Sequence, residues 1–240
     1  MTPPIYAIGD IHGHHDMLQT ALARIANDGG ADAPLVVLGD LVDRGPDSRA
    51  VIDTLMTGIA QGRNWTVLMG NHDRLFHNFL TDGAISTPLI RSGLDWLHDR
   101  LGGGATLASY GIDPDQSADD LFAAAQTAIP QAHRDFIKTR PLYHQTGDFL
   151  FVHAGIQPRL PLEWQSEDDL IWIRDPFLTH DEPFDWLVVH GHTARKHPEH
   201  CGNRVNLDGG TGWGRPLFPA RITGRDVALL TADGPAPLTP

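Results

Sequence analysis

The sequence predicts an α/β fold, and two observations carry that prediction. Five short apolar segments each stop at polar residues and glycine, the pattern of a buried strand that ends in a loop. The first three segments are separated by stretches whose apolar residues are spaced for one face of a helix. The chain is therefore predicted to begin β-α-β-α-β.

Each predicted strand is followed by a short polar motif. In chain order the pairs are PIYAI with GDIHG, LVVL (35–38) with GDLVDRG, TVLM (66–69) with GNHD, FLFV (149–152) with HAG, and WLVV (186–189) with HGHT. In open α/β sheets the ligand site lies beyond the carboxyl ends of the strands. We therefore expect these five motifs to converge on one site.

The helices between the first three strands are read from apolar spacing. One carries apolar residues over 17–25 and ends before Gly29, and the next carries them over 51–56 and ends before Gly58. Towards the end of the chain, RVNLDGG and DVALLT predict two further strands. The GPAPLTP tail is predicted to be loose.

Residues 74–148 interrupt this alternation and predict a mostly helical insert. Leucines spaced over 94–101 predict a helix closed by the glycines at 102–104, and Ser117 and Pro130 mark the starts of two more helices. The insert is interpreted as a packing layer. The alternative is a cap over the site that helps to select substrates.

Composition limits the class of protein. The 240 residues, 41% of them hydrophobic, suit one domain, so residues 1–240 are interpreted as a single domain with the insert at about 74–148. The single cysteine, Cys201, excludes an intramolecular disulfide and a thiolate-rich zinc site. We expect a cytoplasmic protein, because no secretion signal or membrane-spanning run is recognisable.

The overall charge limits the partners. The net charge of −12, from 18 basic and 30 acidic residues, argues against a long nucleic-acid partner, which needs a basic surface. A phosphorylated protein or a small phosphorylated substrate remains possible where positive charge is concentrated locally. No membrane partner is expected, and the sequence leaves the oligomeric state open.

The polar motifs contain six side chains of the kind that bind divalent metals. They are Asp10, His12, Asp40, Asn71, His153 and His192. Three imidazoles and three oxygen donors without a thiolate suit two ions that share a carboxylate, such as manganese, iron or zinc. Two dications against two carboxylates leave about +2, which favours a dianion such as a phosphate monoester.

Two arginines are candidate phosphate ligands. Arg44 follows the second strand in GDLVDRG, and Arg174 lies in IWIRDPF. Both can present a guanidinium fork to phosphate oxygens. For Arg174 a surface or ion-pair role is the alternative.

The motifs GDIHG, GDLVDRG, GNHD, HAG and GHT, in this order, resemble those of the calcineurin-like metallophosphoesterases. More narrowly, they resemble the phosphoprotein phosphatase group, whose bacterial members include serine/threonine protein phosphatases and symmetrical dinucleoside tetraphosphatases. GGGATLASYG and LIWIRDPF also resemble the bacterial members. The resemblance implies an α/β/β/α sandwich, two sheets flanked by helices.

The resemblance also implies roles for individual residues. Asp10, His12 and Asp40 would hold one metal, and Asp40 would bridge to a second metal completed by Asn71, His153 and His192. His72 would be the general acid, oriented by Asp43, and Arg44 and Arg174 would bind the phosphate. A hydroxide held between the metals would attack phosphorus directly, with no covalent intermediate. Manganese is the expected metal, with iron and zinc as alternatives.

A few positions depart from the family or stay open. Asp73 stands where the family usually has glutamate, so a hydrogen bond of that carboxylate is expected to be rearranged or lost. Ala194 stands where wider relatives have a second histidine, which the phosphoprotein phosphatase group also lacks. His14 and His15 are not expected to be ligands. A contact of His190 with metal or substrate is left open.

The sequence is compatible with three functions. The first is hydrolysis of phosphoserine or phosphothreonine in proteins, and the alternative is hydrolysis of dinucleoside polyphosphates. A non-catalytic binding module is disfavoured because it would not need Asp43 and His72. The insert is net acidic, which favours the phosphoprotein substrate unless arginines, above all Arg74 and Arg91, point into the site.

Overall fold

The computed structural model describes residues 3–90 and 92–240, and it contains two mixed β-sheets. The first sheet has the strand order β11-β10-β9-β1-β2-β3, and the second has the order β4-β5-β6-β8-β7. The strands are β1 (Ile5–Ile8), β2 (Leu35–Val37), β3 (Trp65–Val67), β4 (Tyr143–Thr146), β5 (Phe149–Val152), β6 (Leu187–His190), β7 (Glu199–His200), β8 (Arg204–Asn206), β9 (Ala220–Thr223), β10 (Asp226–Thr231) and β11 (Gly234–Pro237).

The described residues also form seven α-helices. They are α1 (His15–Ile25), α2 (Ser48–Ala60), α3 (Asn71–Asp82), α4 (Gly103–Ser109), α5 (Ala118–Ala128), α6 (Gln131–Lys138) and α7 (Glu167–Trp172). None of these helices, within residues 3–90 and 92–240, has the length and apolar character of a membrane-spanning segment.

Alternating side chains of the strands build a layered core. Ala7 and Val36 of the first sheet pack with Phe151 and Val189 of the second sheet between the two sheets. The next residue along β1, Ile8, faces the opposite way and packs with residues of the flanking helices. On the outer side of the second sheet, Leu150 and Val188 pack with Leu170 and Ile171 of α7. The predicted α/β/β/α sandwich is confirmed.

The five predicted strands are confirmed as β1, β2, β3, β5 and β6. Strands β1, β2 and β3 are parallel to one another, and so are β5, β6 and β8. Their carboxyl ends therefore point in common directions within each sheet. The strands predicted in RVNLDGG and DVALLT are confirmed as β8 and β10.

Three local predictions are wrong or displaced. Residues 94–101 do not form a helix: the N–H groups of His98 and Leu101 donate to carbonyls three residues back, as in turns, and the N–H of Trp96 donates to the carbonyl of Ile85 at 2.7 Å. The glycines predicted to close that helix begin α4 instead. Helix α2 continues past Gly58 because Ile59 packs on the core. The tail forms β11, whose prolines are tolerated because β11 is an edge strand.

Several elements of the fold were not predicted, among them β4, β7, β9, α4 and α7. The GNHD motif opens α3 instead of lying in a loop, and β9 connects β1 to the last two strands. The predicted starts at Ser117 and Pro130 are confirmed by α5 and α6, and the hydroxyl of Ser117 accepts the N–H of Asp120 at 3.3 Å. The assignment of the whole chain to one domain stays a prediction.

Candidate functional site

The polar motifs that follow the strands of both sheets meet at one place. The backbone N–H of His192, after β6, donates to both carboxylate oxygens of Asp10, after β1, at 3.1 Å. His153 Nε2, after β5, lies 3.0 Å from Asn71 Oδ1 and 3.4 Å from Asp40 Oδ1, which follow β3 and β2. The structure therefore brings together motifs that are far apart in sequence, as expected.

Two motif glycines make this convergence possible. A Cβ atom at Gly191 would lie 2.1 Å from Asp10 Oδ1, and one at Gly70 would lie 2.2 Å from Asp40 Oδ1. Any side chain at these positions would displace a carboxylate. The glycines of HGHT and GNHD thus allow the backbone to approach the two aspartates directly.

The site concentrates unusual backbone conformations. Six non-glycine residues of the described chain have positive φ, and five of them lie at the site: His12 (49°), Asp40 (50°), Asp43 (74°), Arg44 (67°) and His192 (65°). Such conformations are costly for residues with a Cβ and persist where the surrounding structure enforces them. Their clustering makes this place the candidate functional site.

Two buried histidines present unprotonated nitrogens to Asp40. His12 Nδ1 donates to the carbonyl of Val42 and His153 Nδ1 to that of Leu38, each at 2.9 Å. Burial lowers the pKa of His153 to about 3, so that ring is neutral and its Nε2 carries a lone pair. The Nε2 atom of His12 lies 3.5 Å from one Asp40 oxygen, and that of His153 lies 3.4 Å from the other. In both pairs a lone pair of the ring faces a carboxylate oxygen, so neither atom can donate a hydrogen bond to the other. A bound cation would relieve that opposition, which at His12 the Arg44 guanidinium already meets in part.

The carboxylates of the site repel one another. Burial raises the pKa of Asp10, and the charges of Asp208 and Asp40 raise it further. Burial also raises the pKa of Asp40, as does the charge of Asp73. Bound dications would offset this repulsion.

The grouping of donors fits two cations that share a ligand. Donor atoms of His12, Asp40 and His72 lie within 4.8 Å of one another, and so do those of Asp10, Asp40 and His153. Asp40 belongs to both groups, as the resemblance implies, although the other members are divided differently from the implied ligand sets and the first group includes His72. In addition, His192 Nε2 is buried without a hydrogen-bond partner among the described residues. The residues present therefore fit a pair of divalent metals.

Asp208 is a site residue that the sequence argument missed. It is buried beside Asp10, and the N–H of Gly210 donates to its Oδ1 at 2.9 Å. A signal for it was available, because RVNLDGG repeats the pattern of an apolar strand that stops at a polar residue and glycine.

His72 and Asp43 form a buried pair that the insert supports. His72 Nδ1 donates to Asp43 Oδ2 at 2.7 Å. Asp43 also accepts the indole N–H of Trp96 at 2.8 Å and the hydroxyl of Thr106 at 2.7 Å. Burial raises the pKa of Asp43 to about 7 in spite of these bonds. Trp96 and Thr106 could not be recognised in the sequence, because they lie 53 and 63 residues from Asp43.

Arg44 contacts two histidines of the site, His12 and His72, and two residues outside the predicted ligand set. Its Nη1 contacts His12 Nε2, and its Nη2 lies 3.0 Å from His72 Nε2. Its Nε donates to the carbonyl of Arg100 at 3.3 Å, and the guanidinium carbon lies 4.8 Å from the centre of the Trp213 ring. Arg44 is therefore positioned beside the candidate metal ligands.

The family follows from comparison with known proteins. A family model for calcineurin-like phosphoesterases matches residues 3–209, which include every motif of the site. This chain belongs to the calcineurin-like phosphoesterase family.

Curated relatives of this phosphoesterase include two kinds of nucleotide hydrolase. The symmetrical bis(5'-nucleosyl)-tetraphosphatase of Acidovorax sp. (strain JS42) is 31% identical over 70% of this chain and 48% of that protein. The asymmetrical bis(5'-nucleosyl)-tetraphosphatase PrpE of Anoxybacillus flavithermus is 29% identical over 95% of this chain and 94% of that protein. The chain spans about half the length of the symmetrical relatives that it matches.

Two solved structures share the fold of the phosphoesterase. One belongs to a protein provisionally named a diadenosine tetraphosphatase, with a TM-score of 0.67, 22% identity, and coverage of 98% of this chain and 95% of that chain. The other is a cold-active protein-tyrosine phosphatase of a Shewanella species, with a TM-score of 0.67, 17% identity, and coverage of 100% and 81%. At these identities the likeness concerns the fold.

The site of the phosphoesterase opens into a cavity of about 320 Å³. Asp40, Asn71, His72 and His192 line it, together with the arginines Arg44, Arg100 and Arg174. Arg74, one of the two insert arginines whose inward direction was left open, pairs with Glu167 at 3.0 Å. The other, Arg91, lies outside the described residues.

The remaining candidate residues of the phosphoesterase have other partners. His15 Nε2 lies 2.9 Å from Thr54 Oγ1 on α2, and His190 is buried with its ring edge-on to Phe177. Neither His14 nor His15 belongs to the donor groups found among the described residues. Asp73 accepts two hydrogen bonds, from the N–H groups of Leu41 and Gly70, each at 2.9 Å, and the expected rearrangement relative to the family's glutamate stays a prediction.

Proposed function

We propose that this phosphoesterase hydrolyses dinucleoside polyphosphates of the diadenosine tetraphosphate type. The observation that carries the proposal is the presence of three arginines, Arg44, Arg100 and Arg174, on the cavity that contains the candidate metal ligands. One phosphate needs less positive charge than a chain of four phosphates. The names of the curated relatives point to the same class of substrate.

We propose that two divalent ions bind at the site. Asp10, His12 and Asp40 would hold one ion, and Asp40, Asn71, His153 and His192 the other. Manganese is our first choice, and iron and zinc suit the same nitrogen and oxygen donors. When bound, the ions lower the pKa of water and neutralise charge on the phosphate oxygens.

His72 is proposed to protonate the leaving group. Burial lowers the pKa of His72 and the charge of Arg44 lowers it further, so the free ring is neutral. A phosphate bound by Arg44 and Arg174 would bring negative charge next to the ring and raise its pKa. Asp43 holds Nδ1 and leaves Nε2 directed towards Arg44 and the substrate side.

The sequence alone favoured a phosphoprotein substrate over a dinucleoside polyphosphate. The reason was the net acidic charge of the whole insert. Among the described residues, however, no aspartate of the insert lines the cavity, whereas Arg100 does. The position of the charged side chains therefore favours a dinucleoside polyphosphate as the substrate.

The cytoplasmic location stays a prediction.

The test of the proposed function is a comparison of kcat/KM values with manganese present. Diadenosine tetraphosphate is expected to exceed a phosphoserine peptide by about 100-fold or more, roughly 2.7 kcal/mol of transition-state stabilisation. Arg100→Gln should reduce kcat/KM for the dinucleotide more than for p-nitrophenyl phosphate. Arg134→Gln, whose guanidinium bonds within the insert, is the matched control. A higher kcat/KM for the phosphopeptide would instead favour a protein phosphatase. The products released from the dinucleotide identify the bond that is cleaved.

Trp96→Phe tests the support of the proposed acid. The change removes the N–H that Asp43 accepts, and a phenyl ring can still pack against Phe76 and Phe79. We expect kcat for an alkyl phosphate to fall about 10-fold, because a buried acceptor loses its donor. The loss should be smaller for p-nitrophenyl phosphate, which needs little protonation, and metal content should not change.

The control for that experiment is Trp164→Phe, at a side chain that is 71% exposed. It should leave both rates unchanged. Equal losses for the alkyl and aryl phosphates in Trp96→Phe would show that Trp96 acts on general stability and not on proton transfer.

A further inference from the structure

Trp213 is a large apolar side chain that lies exposed against the site. It is 53% exposed, although tryptophan is usually well covered. One side of its ring faces the Arg44 guanidinium, whose carbon lies 4.8 Å from the ring centre. The same guanidinium contacts His12 and His72. A single arginine thus connects the proposed reaction centre to the exposed ring.

The loop that carries Trp213 is held against the site by its glycines. A Cβ atom at Gly212 would lie 2.5 Å from His12 Cδ2 and 2.8 Å from Arg44 Nη1, so the backbone there rests directly on both side chains. Gly210 and Gly214 flank the turn with φ of 88° and 76°, conformations that favour glycine. The glycines of GTGWG therefore bring the loop that carries the ring against His12 and Arg44.

The exposed ring lies next to positive charge. Arg44 lies over one side of the Trp213 ring, with its guanidinium carbon 4.8 Å from the ring centre. Arg215 follows in the same loop, and its Nη1 donates to the Arg195 carbonyl at 3.0 Å. An exposed aromatic surface next to an arginine suits a ligand that combines a flat ring with phosphates.

We propose that Trp213 is the stacking platform for one nucleobase of a dinucleoside polyphosphate, an inference that rests on the proposed function. Arg44 would hold the phosphate chain at the reaction centre, and the nucleoside at its end would reach the ring next to Arg44. Stacking is tolerant of base identity because every base has a π-face, so the platform binds adenosine and guanosine compounds alike.

The test compares two inhibitors of p-nitrophenyl phosphate hydrolysis by the full-length, manganese-loaded enzyme. One is diadenosine tetraphosphate, and the other is inorganic tetraphosphate, which has the phosphates without the bases. Trp213→Ala should raise the Ki of the dinucleotide about 5- to 150-fold, the effect of one lost stacked base. The Ki of tetraphosphate should change less than about 2-fold. Trp213→Phe should restore most of the dinucleotide affinity.

The outcomes separate this inference from the proposed function. Equal changes for both inhibitors would show that Trp213 only holds Arg44, and no change for either would show that the ring binds nothing; each result overturns the platform while hydrolysis of the dinucleotide stands. A wild-type enzyme that fails to hydrolyse diadenosine tetraphosphate overturns the proposed function and the platform with it. Trp164→Ala, at a more exposed ring, is the control and should change neither Ki.

Discussion

Asp40→Asn is expected to abolish phosphoesterase activity and to reduce the bound metal. Asp40 belongs to both groups of candidate ligands, and its two oxygens face His12 and His153 separately. Loss of a group that merely orients a ligand costs about 10- to 100-fold. Loss of a carboxylate shared by two ions should cost more than about 10³-fold, or roughly 4 kcal/mol. Elemental analysis and kcat/KM measure the two effects.

Stability measurements distinguish lost metal from lost folding in this variant. Burial and Asp73 raise the pKa of Asp40, so removing its charge relieves repulsion. The metal-free variant should therefore unfold at a temperature no lower than that of the metal-free wild type. Added manganese should raise Tm of the wild type and have little effect on the variant. Full occupancy by two metals in Asp40→Asn would contradict the shared role, and His15→Ala should behave like wild type.

His72→Asn is expected to retain both metals and to lose about 10²- to 10⁴-fold in kcat for an alkyl phosphate. Asparagine cannot supply the proton that the departing alkoxide needs. The loss should shrink for p-nitrophenyl phosphate and for diadenosine tetraphosphate, because their leaving groups are stable as anions. A plot of log kcat against the pKa of the leaving group should be steeper for the variant than for the wild type.

A buried histidine away from the site provides the control. His133 contacts the Tyr110 hydroxyl at 2.9 Å and Asp53 at 3.0 Å. His133→Asn should lower Tm and leave the leaving-group dependence unchanged. If His72→Asn reduces all rates by the same factor, His72 binds the phosphate instead of transferring a proton.

The local chemistry of the site could be predicted from the motifs. Each ligand candidate follows an apolar strand. Such a strand can be recognised from a few neighbouring residues, so its position can be predicted without knowledge of the rest of the fold. The convergence of Asp10, Asp40 and His192 followed from the rule that such motifs meet at strand ends. Asp73 was harder to judge, because whether its shorter carboxylate reaches Leu41 depends on the distance between two loops.

Predictions failed where the outcome depended on distant partners. Leucine spacing over 94–101 favoured a helix, but Trp96 bonds to Ile85 and Asp43 and the segment forms turns. The GPAPLTP tail was predicted to be loose, yet β10 offers an edge on which β11 pairs, and an edge strand tolerates proline. In both cases tertiary contacts outweighed local preference.

The sequence by itself determined the family, the strand-and-motif pattern and the candidate ligands, because each of these is written in neighbouring residues. Only the tertiary structure decided which of the charged and aromatic side chains lie close to one another. Arg100 lines the cavity, Arg74 pairs elsewhere, Asp208 joins Asp10, and Trp213 rests on Arg44. Electrostatic and stacking interactions fall off over a few ångströms, so they follow the distances set by folding and not the totals in the chain.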